Sequence, residues 1–200
     1  IQNATSTTVA DGAEVHADAT ETGNGGRVII FAEEDVHVHG EVTAKGGTES
    51  GDGGFIETSG LKALDITRAP EATAQNGAGG DWLIDPENII INSSPNTNIN
   101  QTGTGDPGPI DFSPNIINTA TSIDVALINT ALNNGSNVVI DTTSGGSAAG
   151  DITINADILK SQDLGNGDGS TLTLNADNDI IFPSGINRSI TSTAGVLNVE

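Results

Sequence analysis

Short apolar stretches that follow glycine pairs recur along the first half of this 200-residue chain. Gly25-Gly26 precedes "RVIIFA", Gly53-Gly54 precedes "FIETSG" and Gly79-Gly80 precedes "DWLI", at intervals of 28 and 26 residues. Valine alternates with polar residues in the intervening "EDVHVHGEVTA", which predicts short strands with one buried face. A repeat of this length is typical of a stacked array whose units pack only against their neighbours.

A second series of strands is expected after residue 136. Its apolar stretches are "NVVIDT", "GDITINADI", "STLTLNADNDIIF" and "GVLNVE", and they carry Asn155, Asn175 and Asn198 at intervals of 20 and 23 residues. We expect these asparagines to stack as a ladder of turns, because asparagine tolerates left-handed geometry and its amide can bond the same amide one layer away. An asparagine-lined ligand groove is the functional alternative.

One helix and one long loop interrupt the strands. "TSIDVALINTALNNG" predicts a helix with Thr121 or Ser122 as its N-cap and Gly135 at its C-terminal end. Residues 92–120 are rich in Pro, Gly and Asn, which indicates a loop excursion from the array. Long excursions of this kind often carry binding residues.

These patterns favour an all-β parallel β-helix, or β-solenoid, with one short helix and a loop excursion. Clean hairpin signals are missing, which argues against a sandwich. We expect N-terminal coils over residues 1–91, the loop over 92–120, and the helix with the C-terminal coils over 121–200, all in one continuous solenoid. About eight coils, each roughly 4.8 Å thick, are expected.

Composition narrows the classes of function. Twenty-seven acidic and six basic residues give a formal net charge of -21, which excludes a nucleic-acid partner because phosphate binding needs clustered Lys and Arg. The chain has no cysteine, and no apolar stretch approaches the ~20 residues that span a bilayer, so we expect no membrane insertion. Because it begins with Ile1 and has no methionine, we expect it to be cut from a longer precursor.

The only tryptophan lies in "GGDWLIDPENIII". Asp81 and Asp85 share one face of the predicted strand, so they could act as acid and base on a sugar. The structural interpretation is stronger: Trp82 fills a coil of small residues, Asp85 bonds the turn backbone, and Pro86 ends the strand. No nucleophile elbow, phosphate loop or zinc-protease motif occurs. We therefore expect no catalytic residue, no cofactor and no enzyme.

Three histidines are candidate metal ligands. His37 and His39 are expected on the outer face of their strand, opposite the valines, and His16 precedes them by 21 and 23 residues. Stacking of coils would bring His16 beside one of them, forming a site of two or three imidazoles for zinc or nickel. Three exposed histidines without a metal are the alternative.

Asn-x-Ser/Thr sequons offer candidate modification sites. Two of them begin at Asn92 and Asn100, within the expected loop. Glycosylation at these two positions is the hypothesis, because an acceptor asparagine must be accessible. Chance occurrence in a chain rich in Asn, Ser and Thr is the alternative.

The order of several motifs resembles a known family. "GRVIIFAEEDVHVHGEVTAKGG", "GDGGFIETSG", "LKALDIT" and "GDWLIDPENIII" are similar to the region after the secretion domain of filamentous-haemagglutinin-like and high-molecular-weight adhesins, which are exported by two-partner secretion. "TSIDVALINTALNNGSNVVIDTTS" and the strands after it also resemble that family, so the similarity covers nearly the whole chain. "GGFIETSG" and "WLIDP" are specific in combination.

The resemblance implies a right-handed parallel β-helix and a role in adhesion. It implies a secreted protein at the bacterial cell surface, with an outer-membrane transporter and a host-cell receptor or glycan as partners. In that family "WLIDP" marks a structural coil. A polysaccharide-active β-helix enzyme is the alternative function, and it requires two or three acidic side chains that converge in an outer groove.

Overall fold

The structure is a computed structural model that describes residues 3–94, 99–102, 111–114, 121–166 and 169–200. For 99–102 and 111–114 only the backbone is described. Within these ranges the chain is all-β apart from one helix, and its parallel strands form a β-solenoid of about six turns. The predicted fold class is therefore confirmed.

The strands are short and follow one another closely. They are β1 Ser6–Val9, β2 Glu14–His16, β3 Arg27–Ala32, β4 Asp35–Val38, β5 Glu41–Thr43, β6 Phe55–Gly60, β7 Ala63–Ile66, β8 Asp81–Ile84, β9 Ile89–Asn92, β10 Ile99–Thr102, β11 Asp111–Pro114, β12 Thr121–Asp124, β13 Asn137–Asp141, β14 Ile152–Ile154, β15 Ile158–Lys160, β16 Ser170–Asn175, β17 Ile180–Ile181, β18 Ile190–Ser192 and β19 Leu197–Val199. The helix, α1, is Val125–Asn133. Among the described residues no helix is long and apolar enough to cross a membrane.

Parallel pairing from coil to coil builds three faces. The first face is a six-stranded sheet in the order β3-β6-β8-β13-β16-β19. The second face holds β1-β4-β7 and β12-β9-β14-β17, and the third holds the pairs β2-β5 and β15-β18. The pair β10-β11 is antiparallel and belongs to the excursion from the coils.

Alternation along each strand places apolar side chains inside. In β3 the residues Val28, Ile30 and Ala32 are buried, whereas Arg27 and Ile29 face solvent. Because the strands pair in register, the inner residues of successive coils form continuous rows through the core. One row on the first face consists of Val28, Ile56, Trp82, Val138 and Leu172.

The glycine pairs lie where the backbones of successive coils approach each other at a corner. A Cβ added at Gly54 would overlap the carbonyl oxygen of Gly26, and one added at Gly80 would overlap that of Gly54. Only glycine fits such a contact, because any side chain would force the coils apart. The repeat that is visible in the sequence is thus a steric requirement of stacking.

The helix begins later than the sequence predicts. Thr121 and Ser122 belong to β12 and pair with Ile89 and Ile90, and Asp124 is the N-cap, whose carboxylate accepts a hydrogen bond from the backbone N–H of Ala126 at 2.9 Å. Strand pairing wins over the local cap signal because it satisfies backbone groups along four residues. The helix buries one side against the coils, through Val125, Ile128, Ala131 and Leu132.

β12 adds a layer to the second face alone. β9 pairs with β12 on one side and with β14 on the other, and β12 also contacts β7. On the first face β6 pairs directly with β8. The excursion, β12 and α1 together use residues that would otherwise form further coils, which explains why about six turns are present and not eight.

The expected asparagine ladder is wrong. Asn155 follows β14 on the second face, whereas Asn175 ends β16 and Asn198 lies in β19 on the first face, opposite Thr171. Asn175 instead donates a hydrogen bond to Asp141 at 2.8 Å. Similar intervals in the sequence do not give similar positions, because the coils differ in length.

Candidate functional site

Two neighbouring strands of the second face bring two histidines and two carboxylates together. β4 carries Asp35 and His37, and His39 follows it directly. β7 pairs with β4 so that Asp65 lies opposite His37. We call Asp35, His37, His39 and Asp65 the histidine cluster.

Hydrogen bonds connect the members of this cluster in a row. The Nε2 atom of His37 lies 2.9 Å from Oδ2 of Asp35, and that oxygen also accepts a hydrogen bond from the Ser6 hydroxyl at 2.5 Å. On the other side, Oδ2 of Asp65 lies 2.7 Å from Nε2 of His39 and 3.7 Å from Nδ1 of His37. Because Ser6 bonds the carboxylate and not the imidazole, the arrangement differs from a nucleophilic triad.

His37 and His39 stabilise the ionised form of Asp65. Burial alone would raise the pKa of the Asp65 carboxyl, but the hydrogen bonds and charges of His37 and His39 outweigh it and lower the pKa below its ordinary value. The ionised carboxylate is therefore the favoured form over a wider range of pH than in an isolated aspartate.

The exposure of His37 differs from the prediction. Val36, His37 and Val38 are all buried, and the His37 side chain has no exposed area. Its neighbours in the ladder, Thr8 on β1 and Asp65 on β7, flank it on both sides. Alternation places residues on two faces of a strand, but it does not ensure that the outer face is open to solvent.

The prediction that His16 stacks beside His37 or His39 is wrong. β2 pairs with β5 on the third face, and His16 lies opposite Thr43. Its Nδ1 atom is 2.7 Å from the Thr43 hydroxyl, and its Nε2 is 3.3 Å from Glu14. His16 precedes His37 by 21 residues, whereas paired positions of β2 and β5 are 27 residues apart. Because 21 residues are less than one full coil, the two histidines lie on different faces.

Sequence reasoning missed the two carboxylates of the cluster. Asp65 follows His37 by 28 residues, which is the same interval as that between the first two glycine pairs. That interval could have placed the two residues in adjacent coils. The three donor groups of His37, His39 and Asp65 each offer a ligand atom within 4.8 Å of the others, a set that suits a transition-metal ion.

Trp82 lies inside the solenoid and is fully buried. Its indole N–H donates a hydrogen bond of 2.9 Å to the hydroxyl of Thr58 on the adjacent coil. Pro86, two residues after the end of β8, is also buried. Trp82 therefore contributes packing and one buried polar contact and is not accessible to a ligand.

Asp81 and Asp85 have different hydrogen-bond partners. Asp81, the first residue of β8, accepts a hydrogen bond of 3.0 Å from the amide of Asn137, whereas Asp85 follows the strand and forms a hydrogen bond with Ser144. An acid and base role for this pair therefore stays a prediction.

Asp85 instead has two other carboxylates near it. Burial is the main cause that raises the pKa of Asp85. A hydrogen bond with Ser144 lowers this pKa in part, and the negative charges of Asp141 and Glu57 raise it further. Burial would also raise the pKa of Asp141, but hydrogen bonds from Thr143 and Asn175 hold it below its ordinary value. The pKa values of the two neighbouring carboxyls are thus shifted in opposite directions.

The two sequon residues lie in strands and not in an open loop. Asn92 ends β9, and its amide donates a hydrogen bond of 2.7 Å to the Ser122 hydroxyl while its carbonyl accepts one from the backbone of Ser94 at 3.1 Å. Asn100 lies in β10, and its side chain is outside the described part of the chain. Glycosylation at both positions stays a prediction.

The fold defines the class of this protein as a parallel β-solenoid. Comparison with models of known protein families finds no match, and no curated protein is significantly similar to the chain. The geometry of the solenoid and the motifs of its sequence are therefore the features that bear on its function.

Proposed function

We propose that this chain is a structural segment of a secreted bacterial surface protein that contributes to adhesion. The observation that carries the proposal is the uninterrupted parallel sheet from β3 to β19. Such a sheet gives a stiff, repetitive support without disulfides, since each coil is fixed by backbone hydrogen bonds to the next. The resemblance of "GGFIETSG" and "WLIDP" to two-partner-secreted adhesins supplies the proposed setting.

A row of outward groups on the first face is the proposed adhesive surface. Arg27 lies 4.6 Å from the centre of the Phe55 ring, and Asp81 and Asn137 continue the row on the next two coils. An aromatic ring with amide and carboxylate groups beside it suits the apolar faces and hydroxyls of a sugar. A host glycan is the partner that this chemistry favours.

Adhesion is tested with beads that carry the chain, applied to host epithelial cells and to a glycan array. We expect retention that falls at least fivefold in the double variant Arg27→Ala and Phe55→Ala. Lys62→Ala is the matched control, because Lys62 is exposed and pairs with Glu34 away from this row. Equal retention of the wild type and of uncoated beads would contradict the proposal.

Secretion requires its own experiment. The chain is fused behind a two-partner secretion domain and expressed with the cognate outer-membrane transporter. We expect the chain to reach the medium or the cell surface only when the transporter is present. Export that does not depend on the transporter would contradict the proposed route.

Asp85 and Asp141 favour a second candidate, a polysaccharide-active enzyme. A carboxyl with a raised pKa beside one with a lowered pKa is the arrangement that acid and base roles require. The test is release of reducing sugars from a panel of polysaccharides. Activity that is lost in Asp85→Asn and Asp141→Asn but kept in Asp81→Asn would establish this candidate, and no release from any substrate would remove it.

A further inference from the structure

The histidine cluster has the composition of a metal site that joins two coils. His37 and His39 come from the coil of β4, and Asp65 comes from the coil of β7. We propose that His37, His39 and Asp65 bind one divalent transition-metal ion, for which Zn²⁺ is the probe. Two imidazoles and one carboxylate are a ligand set that zinc accepts, with the remaining position left for water.

The distances between donor atoms suit the ion. In a tetrahedral site with bonds of about 2.0–2.1 Å, ligand atoms are about 3.3 Å apart. Nδ1 of His37 and Nε2 of His39 lie 3.7 Å and 2.7 Å from Oδ2 of Asp65. Shifts of roughly half an ångström would bring each imidazole to the required distance from the carboxylate, and the ligand atoms of the two imidazoles lie within 4.8 Å of each other.

Asp35 and Ser6 orient the His37 ring for this role. Since Asp35 accepts a hydrogen bond from Nε2 of His37 at 2.9 Å, the neutral ring presents its lone pair on Nδ1, on the side of Asp65. A carboxylate behind a ligating histidine is the usual support of a bound metal. Ser6 holds Asp35 in place from a third strand, so the ligand orientation is fixed before any ion arrives.

The ion can reach the cluster from one side. The side chain of His37 is fully buried, whereas those of His39 and Asp65 are 22% and 18% exposed. Water can therefore occupy the open coordination position at the exposed edge. This partial access also makes His39 and Asp65 better positions for substitution than His37, whose replacement would disturb the core.

Zinc binding is tested by competition with a chromogenic chelator, using the whole chain freed of metal, in 150 mM NaCl with excess Mg²⁺. The Mg²⁺ occupies exposed carboxylates, because a chain with a formal net charge of -21 attracts cations without specificity. We expect one equivalent of Zn²⁺ to bind, and Co²⁺ to give the visible absorption bands of a four- or five-coordinate site.

Three variants separate a built site from adventitious binding. His39→Ala and Asp65→Asn should each weaken Zn²⁺ binding at least tenfold and abolish the rise of the melting temperature that Zn²⁺ produces in the wild type. His16→Ala is the control, because His16 bonds Thr43 on another face, and it should bind like the wild type. Circular dichroism confirms that each variant is folded.

Three results would overturn the assignment. The first is the absence of stoichiometric Zn²⁺ binding by the wild type. The second is wild-type affinity in both His39→Ala and Asp65→Asn, and the third is an equal loss in His16→Ala. None of these results bears on adhesion, so the metal site and the proposed function fail independently.

Discussion

A single buried hydrogen bond decides how Trp82 fits the core. The indole and the Thr58 hydroxyl are both fully buried, and neither can exchange its partner for water. The choice of tryptophan at this position therefore depends on a threonine in the neighbouring coil as much as on the volume of the ring.

A double-mutant cycle measures that dependence. Trp82→Phe should cost about 1–3 kcal/mol of the free energy of unfolding, because it leaves the Thr58 hydroxyl buried without its donor. Adding Thr58→Val to this variant should recover part of the loss, since both polar groups are then gone. Urea titration of the four proteins gives the coupling energy, and strictly additive losses would show that the contact is unimportant.

The carboxyls of Asp85 and Asp141 predict opposite responses to pH. The raised pKa of Asp85 means that its stabilising contribution is complete below the unfolded pKa and is lost as pH rises through the folded pKa. The lowered pKa of Asp141 means that its contribution is present above the unfolded pKa and is lost as pH falls through the folded pKa.

Asparagine substitutions test these opposite contributions of Asp85 and Asp141 to the free energy of unfolding. At pH 7 we expect Asp85→Asn to raise the free energy of unfolding, because it removes a charge that burial disfavours, and Asp141→Asn to lower it. Both differences should shrink as the pH falls towards 3, that of Asp141→Asn later than that of Asp85→Asn, because the lowered pKa of Asp141 keeps its carboxyl ionised in the folded chain to lower pH. Urea midpoints at the two pH values provide the measurement, and equal shifts in the same direction at pH 7 would contradict it.

At the scale of single elements, the glycine corners set how closely coils stack. Gly26, Gly54 and Gly80 occupy equivalent positions, but an added Cβ would meet backbone of the preceding coil at Gly54 and Gly80 and the Ala17 methyl and carbonyl at 3.1 Å at Gly26. The same substitution therefore meets a severe backbone overlap at Gly54 and Gly80 but a milder contact at Gly26.

We expect Gly80→Ala to destabilise the chain by about 3 kcal/mol or more, because the overlap with the carbonyl oxygen of Gly54 requires a backbone shift. Gly26→Ala is the matched control and should cost less than about 1 kcal/mol, as a shift of a few tenths of an ångström relieves its contact. Thermal unfolding of both variants measures the difference. A smaller loss for Gly80→Ala than for Gly26→Ala would contradict the steric explanation.

The elements differ in how far the sequence predicts them. Period-two alternation and the glycine pairs predicted β3, β4, β6 and β8 and their parallel stacking, because burial of one face and close backbone contact leave direct marks on residue type. The helix start was missed, since the pairing of β12 with β9 is a long-range interaction that Thr121 and Ser122 do not reveal.

The histidine cluster was predicted only in part for a related reason. His37 and His39 are two residues apart, so strand geometry alone brings them together. Asp65 comes from another coil, and its position depends on register, which a repeat of variable length leaves open. His16 was misplaced by the same uncertainty, whereas the interval between His37 and Asp65 matched the coil length.

For the whole molecule, stability should vary along the stack of coils. Ile84 and Ile140 in the middle are fully buried, whereas Ile180, Phe182 and Val199 near one end are 43%, 49% and 51% exposed. Among the strands that the structure describes, central ones such as β8 and β13 pair on both sides, and β19 pairs on one side alone. Coils that contact one neighbour gain only half of the stacking energy.

Hydrogen exchange detects this gradient. We expect the amides of β8 and β13 to exchange slowest and those of β17 to β19 to exchange at least a hundredfold faster, because the end coils open without unfolding the centre. Mass spectrometry of peptides from each coil gives the rates. Uniform protection from end to end would show that the chain unfolds as a single unit.

The additional layer that β12 provides makes the column asymmetric. Between the coils of β6 and β8 the first face advances by one strand spacing, whereas the second face, with β12 beside β7 and β9, advances by two. One flank is therefore longer by about 4.8 Å, and we expect the axis to tilt towards the shorter flank. A fibre with such insertions at intervals would follow an arc, so the placement of excursions along a chain can encode curvature.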